Sequence, residues 1–391
     1  MLRRGRQVSR DNGGVDGGGA DWVGSGVLAR AYAVAAELAE YLAVRVDAAA
    51  TLTGRAALLG LHRRGRISAG GATRLMPTRD GWWALTLSRP DDIDAIPALV
   101  EADTVPDDPW STIAQWAAPR DADEAVQRAG LLGLPAARLG EATAESPRVT
   151  QHGNRVAPRS AAGLLVADLS SMWAGPLCGQ VLADAGATVV KVESPARPDG
   201  TRTGDQVFYD WINHGKLSYA VDFDRDSERL QALLATADVV IEGSRPGALA
   251  RRGLSPETLP GPDGRVWLRV SGHGPDSQRA AFGDDAAVAG GLVDTSASGP
   301  VFCGDAIADP LTGLESALVV AHSLFRGGGE TIEVSMSAVA AGYAALPSAS
   351  SQSSASAQPP QPPPHVTRAS QLGADNVAVD ALVSQRNSVT C

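Results

Sequence analysis

"GLLVADLSSMWAGPLCGQVLADAGATVVKVE", residues 163–193, decides the fold. Leu164 to Ala167 form a short apolar run without alternation, the pattern of a strand buried on both faces. A polar loop follows, and then "GPLCGQVLADAG" carries apolar residues at helical spacing, with Gly175 and Pro176 in its opening turn. "ATVVKVE" returns to a β-branched run that reads as a second strand. Strand, helix, strand at this spacing is the unit of a parallel sheet. Downstream the alternation continues through "LSYAVDF" (217–223), "SERLQALLATA" (227–237), "DVVIEG" (238–243) and "RVWLRVSG" (265–272). The fold class is therefore α/β, a doubly wound parallel sheet whose ligands gather at the carboxyl ends of its strands.

Residues flanking this core read differently. Residues 1–20 are rich in Gly, Arg and Asp and are expected to be a disordered tail. Residues 21–147 read as a small α+β domain: a helical lead-in over 24–48, a hairpin in "ATRLMPTRDGWWALTL" turning at Asp80 and Gly81, further helices from Asp91 and over 109–132, and a short closing strand. Trp82 and Trp83 are adjacent on a strand, so they point to opposite faces and one of them belongs to the core. Residues 148–163 are polar and pattern-free and read as a linker to the sheet domain, 164–346. A Ser/Gln/Pro-rich linker, 347–366, and a terminal helix and tail, 367–391, complete the chain.

With 391 residues and 44% apolar content the chain buries a substantial core, and its net charge of −10 argues against nucleic acid as a partner. No stretch has the length and apolarity of a membrane span, and no apolar segment follows the basic start, so a cytoplasmic protein is expected. Three isolated cysteines and six scattered histidines show no metal-ligand spacing, and no metal is expected. Of the 34 basic residues only Lys191 and Lys216 are lysines. Either chance left these two, or a compact ammonium is wanted there, where the planar fork of arginine would not replace it.

The loop "DLSSMWAGPLCGQ" lacks the GxGxxG of a dinucleotide site, and no P-loop is present, which disfavours a nucleotide-dependent oxidoreductase although Glu193 ends the second strand where a ribose acid would sit. The helix start at Gly175 remains an anion site. Lys191, Arg197, Arg202, Lys216 and Arg245 follow strand ends and suit a ligand with several phosphates and a thioester arm. In "VFCGDAIADPLTGLESALVVAHSLF", residues 301–325, Asp305 and Asp309 precede a long apolar helix, where an acid either caps or does chemistry.

Six segments between 162 and 340, including "VADLSSMWAGPLCGQVLADAGATVVKVESPARPDGTR", "NHGKLSYAVDF", "ADVVIEGSRPGALARRGLS" and "GDDAAVAGGLV", together resemble the family III CoA-transferases, the group of formyl-CoA and carnitine CoA-transferases and α-methylacyl-CoA racemases. The resemblance implies a Rossmann-like sheet domain with a smaller α+β domain, an interlocked homodimer, no permanently bound cofactor, and an acyl-CoA thioester and a carboxylic acid acceptor as substrates. It places Asp309 on the aspartate nucleophile and Gly313 on the glycine four residues later, leaving Asp305 as a loop or capping residue. Trp173, Ala174, Gly175, Lys191, Arg202, Lys216 and Arg245 would then hold coenzyme A, with Trp173 stacking on adenine or covering the thioester. The racemases pair their aspartate with a histidine, and the matching "AFGDDAAVAGG" has none; His273 lies upstream, as a channel or loop residue. The implied activity is transfer of CoA between carboxylic acids through an aspartyl intermediate. "DGWWALTL" and "GLPAARLGE" resemble segments that follow the sheet domain in the family, yet here they precede it. That permuted order leaves a non-catalytic CoA-binding subunit as the alternative.

Overall fold

Helical periodicity near the start of the chain produces α1 (Ser25–Leu42), whose Val27, Ala31, Val34, Leu38 and Leu42 form one buried stripe, and then α2 (Ala48–Leu59). Asp47 caps α2 by accepting the amide of Ala50 at 3.0 Å. The computed structural model describes residues 23–347 and 359–390, so the expected 1–20 tail and most of the low-complexity linker lie outside the described residues. The hairpin follows as read, β1 (Thr73–Pro77) pairing with β2 (Trp82–Thr86) around the Asp80–Gly81 turn. Helices α3 (Pro90–Asp94), α4 (Ile96–Val100), α5 (Pro109–Ala117) and α6 (Ala122–Leu131) lead to β3 (Ala136–Arg138), which joins β2 antiparallel. Trp83 is the buried member of the tryptophan pair, in a core with Trp116, Ile96 and Ile113; Trp82 faces out beneath the Arg66 guanidinium.

The large sheet has seven strands: β4 (Arg148–Gln151), β5 (Leu165–Asp168), β6 (Thr188–Glu193), β7 (Leu217–Ala220), β8 (Val239–Glu242) and β9 (Val266–Ser271), with β12 (Glu330–Ser335) after the small hairpin β10 (Val293–Ser296) and β11 (Gly299–Phe302). Their order is β4-β12-β9-β8-β5-β6-β7, with every pair parallel except β4 with β12. The chain leaves β5 in one direction to β6 and β7 and resumes on its other side at β8. The switch point therefore lies between β5 and β8. On one face pack α7 (Ala174–Asp184) and α11 (Ala308–Phe325); on the other lie α9 (Ser227–Thr236) and α13 (Asn376–Thr390), through Leu230, Leu233, Val379 and Val383. The remaining helices are α8 (Gln206–Asn213), α10 (Gly283–Ala289) and α12 (Met336–Ala344). Gly313 allows the close crossing of α11 over α7, because a side chain there would meet Ala174 O at 2.8 Å and Leu177 Cδ2 at 2.7 Å.

Two sequence expectations change. The 148–163 linker contains β4, whose four residues are all exposed; its order comes from the backbone ladder to β12, which leaves no apolar pattern to read. The helices α1 and α2, read with the small unit, share the core of the large sheet instead, since the stripe of α1 packs on α11. The part of the chain outside the sheet domain thus reaches into it.

Candidate active site

Asp309 is the second residue of α11, behind a tight turn in which Gly304 and Ala306 both take left-handed backbone angles. Its carboxylate makes no capping bond to its own helix. Instead it faces the backbone amides of Ala174, which opens α7, and Gly283, which opens α10. The residue is 9% exposed, and its pKa is pushed up to about 7 by burial, with Arg55 and the two amides opposing and the charge of Asp284 adding. A carboxyl that ionises near neutrality is more basic than an ordinary carboxylate yet still available in its charged form. The acid is thus held by amides of two other helices and raised above the ordinary carboxylate range, instead of being bonded as a cap of α11.

Three further acids stand on the neighbouring turns, Asp305 ahead of α11 and Asp284 and Asp285 at the start of α10, and Asp284 acts on Asp309 directly. Asp305 is buried and pairs through both oxygens with Nη1 of Arg55, at 2.6 and 2.7 Å. Burial raises its pKa and Arg55 counters. Asp284 accepts the Ala306 amide at 3.0 Å and the Thr73 hydroxyl at 3.2 Å, and burial with the nearby Asp305 pushes it up to about 6. Asp285 accepts the Phe282 amide at 3.0 Å and the Thr86 hydroxyl at 2.9 Å, and is pushed up to about 7 by burial. Arg55, Thr73 and Thr86 all come from the amino-terminal part of the chain. That part supplies the side-chain partners of these acids.

Asp285 makes stability depend on pH. A carboxyl whose folded pKa exceeds its unfolded value binds more protons when folded, so its stabilising effect is complete below the unfolded pKa and is lost as pH rises through the folded one. Asp285, raised from 3.8 to about 7, carries that penalty above neutrality. Asp285→Asn, isosteric with the protonated acid, is expected to stabilise the protein by a few kcal/mol at pH 8, because each pH unit between the two pKa values is worth about 1.4 kcal/mol. At pH 4 it should change little. Denaturation midpoints of the variant and wild type across that range check it; a difference independent of pH contradicts it.

The loop ahead of α7 is held from below by buried charges. Lys191, within β6, donates to the Ser170 carbonyl and to Asp199 at 2.8 Å, and Asp199 accepts the Met172 amide at 3.2 Å. Met172 sits at φ 72°, a conformation that costs a non-glycine residue about 1 kcal/mol or more. Lys216 fills the second buried position, donating to Asp168 at 3.0 Å, Pro176 O at 2.8 Å and Asn213 at 3.1 Å. Met172→Gly is accordingly expected to raise stability by about 1 kcal/mol, read as a higher melting temperature; a lower one shows that the methionine side chain outweighs the backbone strain.

These contacts change the expected coenzyme-binding set. Lys191 and Lys216 have side chains 1% exposed and paired with buried carboxylates, so they are not presented to a phosphate. The need for a compact ammonium is met, but inside the core. Arg202 forms a two-pronged pair with Glu193, at 2.6 and 2.9 Å, and lies over the Tyr209 ring. Trp173 is buried against Phe208 and Trp211, which leaves no face for adenine. The His273 side chain is 7% exposed, its pKa lowered to about 3 by burial and Arg279. Ala174 and Gly175 open α7 beside the acid, and Arg245 is exposed on the loop after β8 with no side-chain partner among the described residues. Neighbouring Ser244, Pro246 and Gly247 line a cleft of 240 Å³ at the carboxyl ends of β8 and β9, with Glu242, Arg269 and Ser271. Among the described residues no His/Cys/Asp/Glu group could hold a metal ion, and no helix is long and apolar enough to cross a membrane.

Sequence reasoning missed Arg55, because a single arginine on a helix read with another domain carries no signal of its own. Asp284 and Asp285 had one, a pair of acids inside an otherwise apolar run.

Comparison with known proteins points to the same segment of the chain. The model of CoA-transferase family III matches residues 162–373. A formyl-CoA:oxalate CoA-transferase from Afipia carboxidovorans is 31% identical over 193 residues, 44% of this chain and 46% of the relative. A succinate–glutarate CoA-transferase from Agrobacterium fabrum is 32% identical over 214 residues, 48% and 53% of the two chains. The chain spans about half the length of the curated relatives it matches. Among solved structures, a hypothetical protein from Mycobacterium tuberculosis is 29% identical with a TM-score of 0.43, over 48% of this chain and 57% of that one. A CAIB/BAIF family protein from Brucella suis is 31% identical with a TM-score of 0.44, over 48% and 56%.

Proposed function

Because the chain belongs to CoA-transferase family III, we propose that it moves coenzyme A between carboxylic acids with Asp309 as covalent nucleophile. The observation that carries this reading is the Asp309 carboxylate itself, buried, raised to about 7 and faced by two backbone amides. An Asp309 oxygen attacks the thioester carbonyl carbon, the carbon–sulfur bond breaks, and CoA leaves as thiolate from a mixed anhydride. The thiolate then attacks the aspartyl carbonyl, forming an enzyme thioester and releasing the donor acid. An incoming carboxylate attacks that thioester and expels the thiolate, giving a second anhydride. Attack of the thiolate on the new acyl carbon regenerates Asp309 and yields the new acyl-CoA. Each step exchanges one acyl bond for another, so no metal, redox or proton balance is required.

The amides of Ala174 and Gly283 suit the negative oxygen that develops at each addition, since they are fixed by their helices before reaction begins. A homodimer and CoA as a transient substrate rather than a resident cofactor are part of the same reading. Incubating the protein with formyl-, succinyl- or glutaryl-CoA and a panel of isotope-labelled acids, then separating the thioesters by mass, tests it. Label appearing in a new acyl-CoA supports transfer; CoA binding without exchange for any pair favours the non-catalytic subunit.

A further inference from the structure

Arg55 is a charged group beside Asp309 whose own hydrogen-bonding capacity is incompletely used. Only Nη1 is engaged, by both oxygens of Asp305; Nε and Nη2 have no hydrogen-bond partner among the described residues, and the side chain is 25% exposed. Its guanidinium carbon lies 5.8 Å from the Trp173 ring centre and 5.5 Å from that of Phe208, so it rests against a pair of buried aromatics. Its charge is felt at Asp309 and at Asp284. The residue comes from α2, outside the segment matched by the family model.

We propose that Arg55 is the anchor for the carboxylate of the acceptor acid, a role the amino-terminal helices bring to the sheet domain. The assignment deepens the transferase reading and rests on it for the identity of the ligand. A planar fork with one edge occupied and the other open fits a second carboxylate with two parallel hydrogen bonds. The position also fits the task, because the acid must stand beside Asp309 to attack the enzyme acyl group, whereas the phosphates of CoA lie at the far end of its pantetheine arm. Without a cation, bringing an anion in among the buried Asp305 and Asp309 and the half-buried Asp284 is opposed by repulsion and desolvation.

Removing Arg55 alone strands Asp305 as a buried charge and endangers folding. The informative variant is Arg55→Gln with Asp305→Asn, which removes both charges, compared with Asp305→Asn alone, which keeps Arg55. Binding of succinate and glutarate is measured by isothermal titration, with succinamide as the uncharged control and desulfo-CoA as the coenzyme control. Expected results are acid binding by wild type and by Asp305→Asn, loss of about tenfold or more in the double variant, and no change for desulfo-CoA. In turnover the KM for the acid rises by a similar factor while the KM for the acyl-CoA holds. Equal acid binding by wild type and double variant overturns the proposal, as does a wild type that binds neither acid. An equal loss of desulfo-CoA makes Arg55 a coenzyme contact and overturns it too. Arg55-dependent acid binding without turnover leaves Arg55 as a carboxylate site and removes only the transferase reading.

Discussion

Asp309→Asn is expected to lower CoA exchange by about 10⁴-fold or more while the protein stays folded, because an amide in the same place cannot form the anhydride or the enzyme thioester. The raised pKa adds a second signature. Asp309 carries a folded-state penalty above neutrality, so the variant is expected to be more stable than wild type at pH 8 and equal to it at pH 4. Exchange in the wild type should rise as pH increases through about 7, where the carboxylate forms. Loss of activity with a lowered melting temperature at every pH would point instead to a structural acid.

The second large effect concerns the buried lysine just before β7. Lys216→Met is expected to cost about 3–5 kcal/mol, since it leaves Asp168 buried without its main counter-charge. Burial works to raise the Asp168 pKa, but Lys216 and Lys191 outweigh it and hold the acid ionised. Gly179 leaves the room this pair needs, as a side chain there would come within 2.8 Å of Asp168 Oδ2. Adding Asp168→Asn removes the stranded charge and should restore most of the loss, because a neutral pair avoids the desolvation cost. Denaturant midpoints of the two variants decide this. A single variant within about 1 kcal/mol of wild type would show that water reaches Asp168.

The sheet is legible in residues 163–193 because a parallel strand buried on both faces leaves a continuous apolar run and its crossover helix a different period. The hairpin is legible in Asp80-Gly81 for the same kind of reason, a turn type that demands particular residues. β4 is not, since an exposed edge strand held by backbone bonds has no side-chain pattern. At the site, Asp309 and Gly313 are readable only through family resemblance; the structure shows Gly313 at the close crossing of α11 over α7 and Asp309 facing the amides of Ala174 and Gly283. Lys191 and Lys216 stand out as the two lysines of an arginine-rich chain and read from sequence as following strand ends and facing phosphate, whereas Lys191 lies within β6 and Lys216 just before β7. The rarity of lysine draws attention to the two positions but does not say whether their partner is a ligand or Asp199 and Asp168. Arg55 is invisible because its partner, Asp305, lies 250 positions away.

Whether Asp309 becomes acylated is tested most directly by intact-protein mass spectrometry after mixing with acyl-CoA. The expected result is a mass increase that hydroxylamine removes, that maps to the peptide holding Asp309, and that Asp309→Asn lacks. An adduct retained in that variant, or none with any thioester the protein binds, would contradict the covalent role of Asp309.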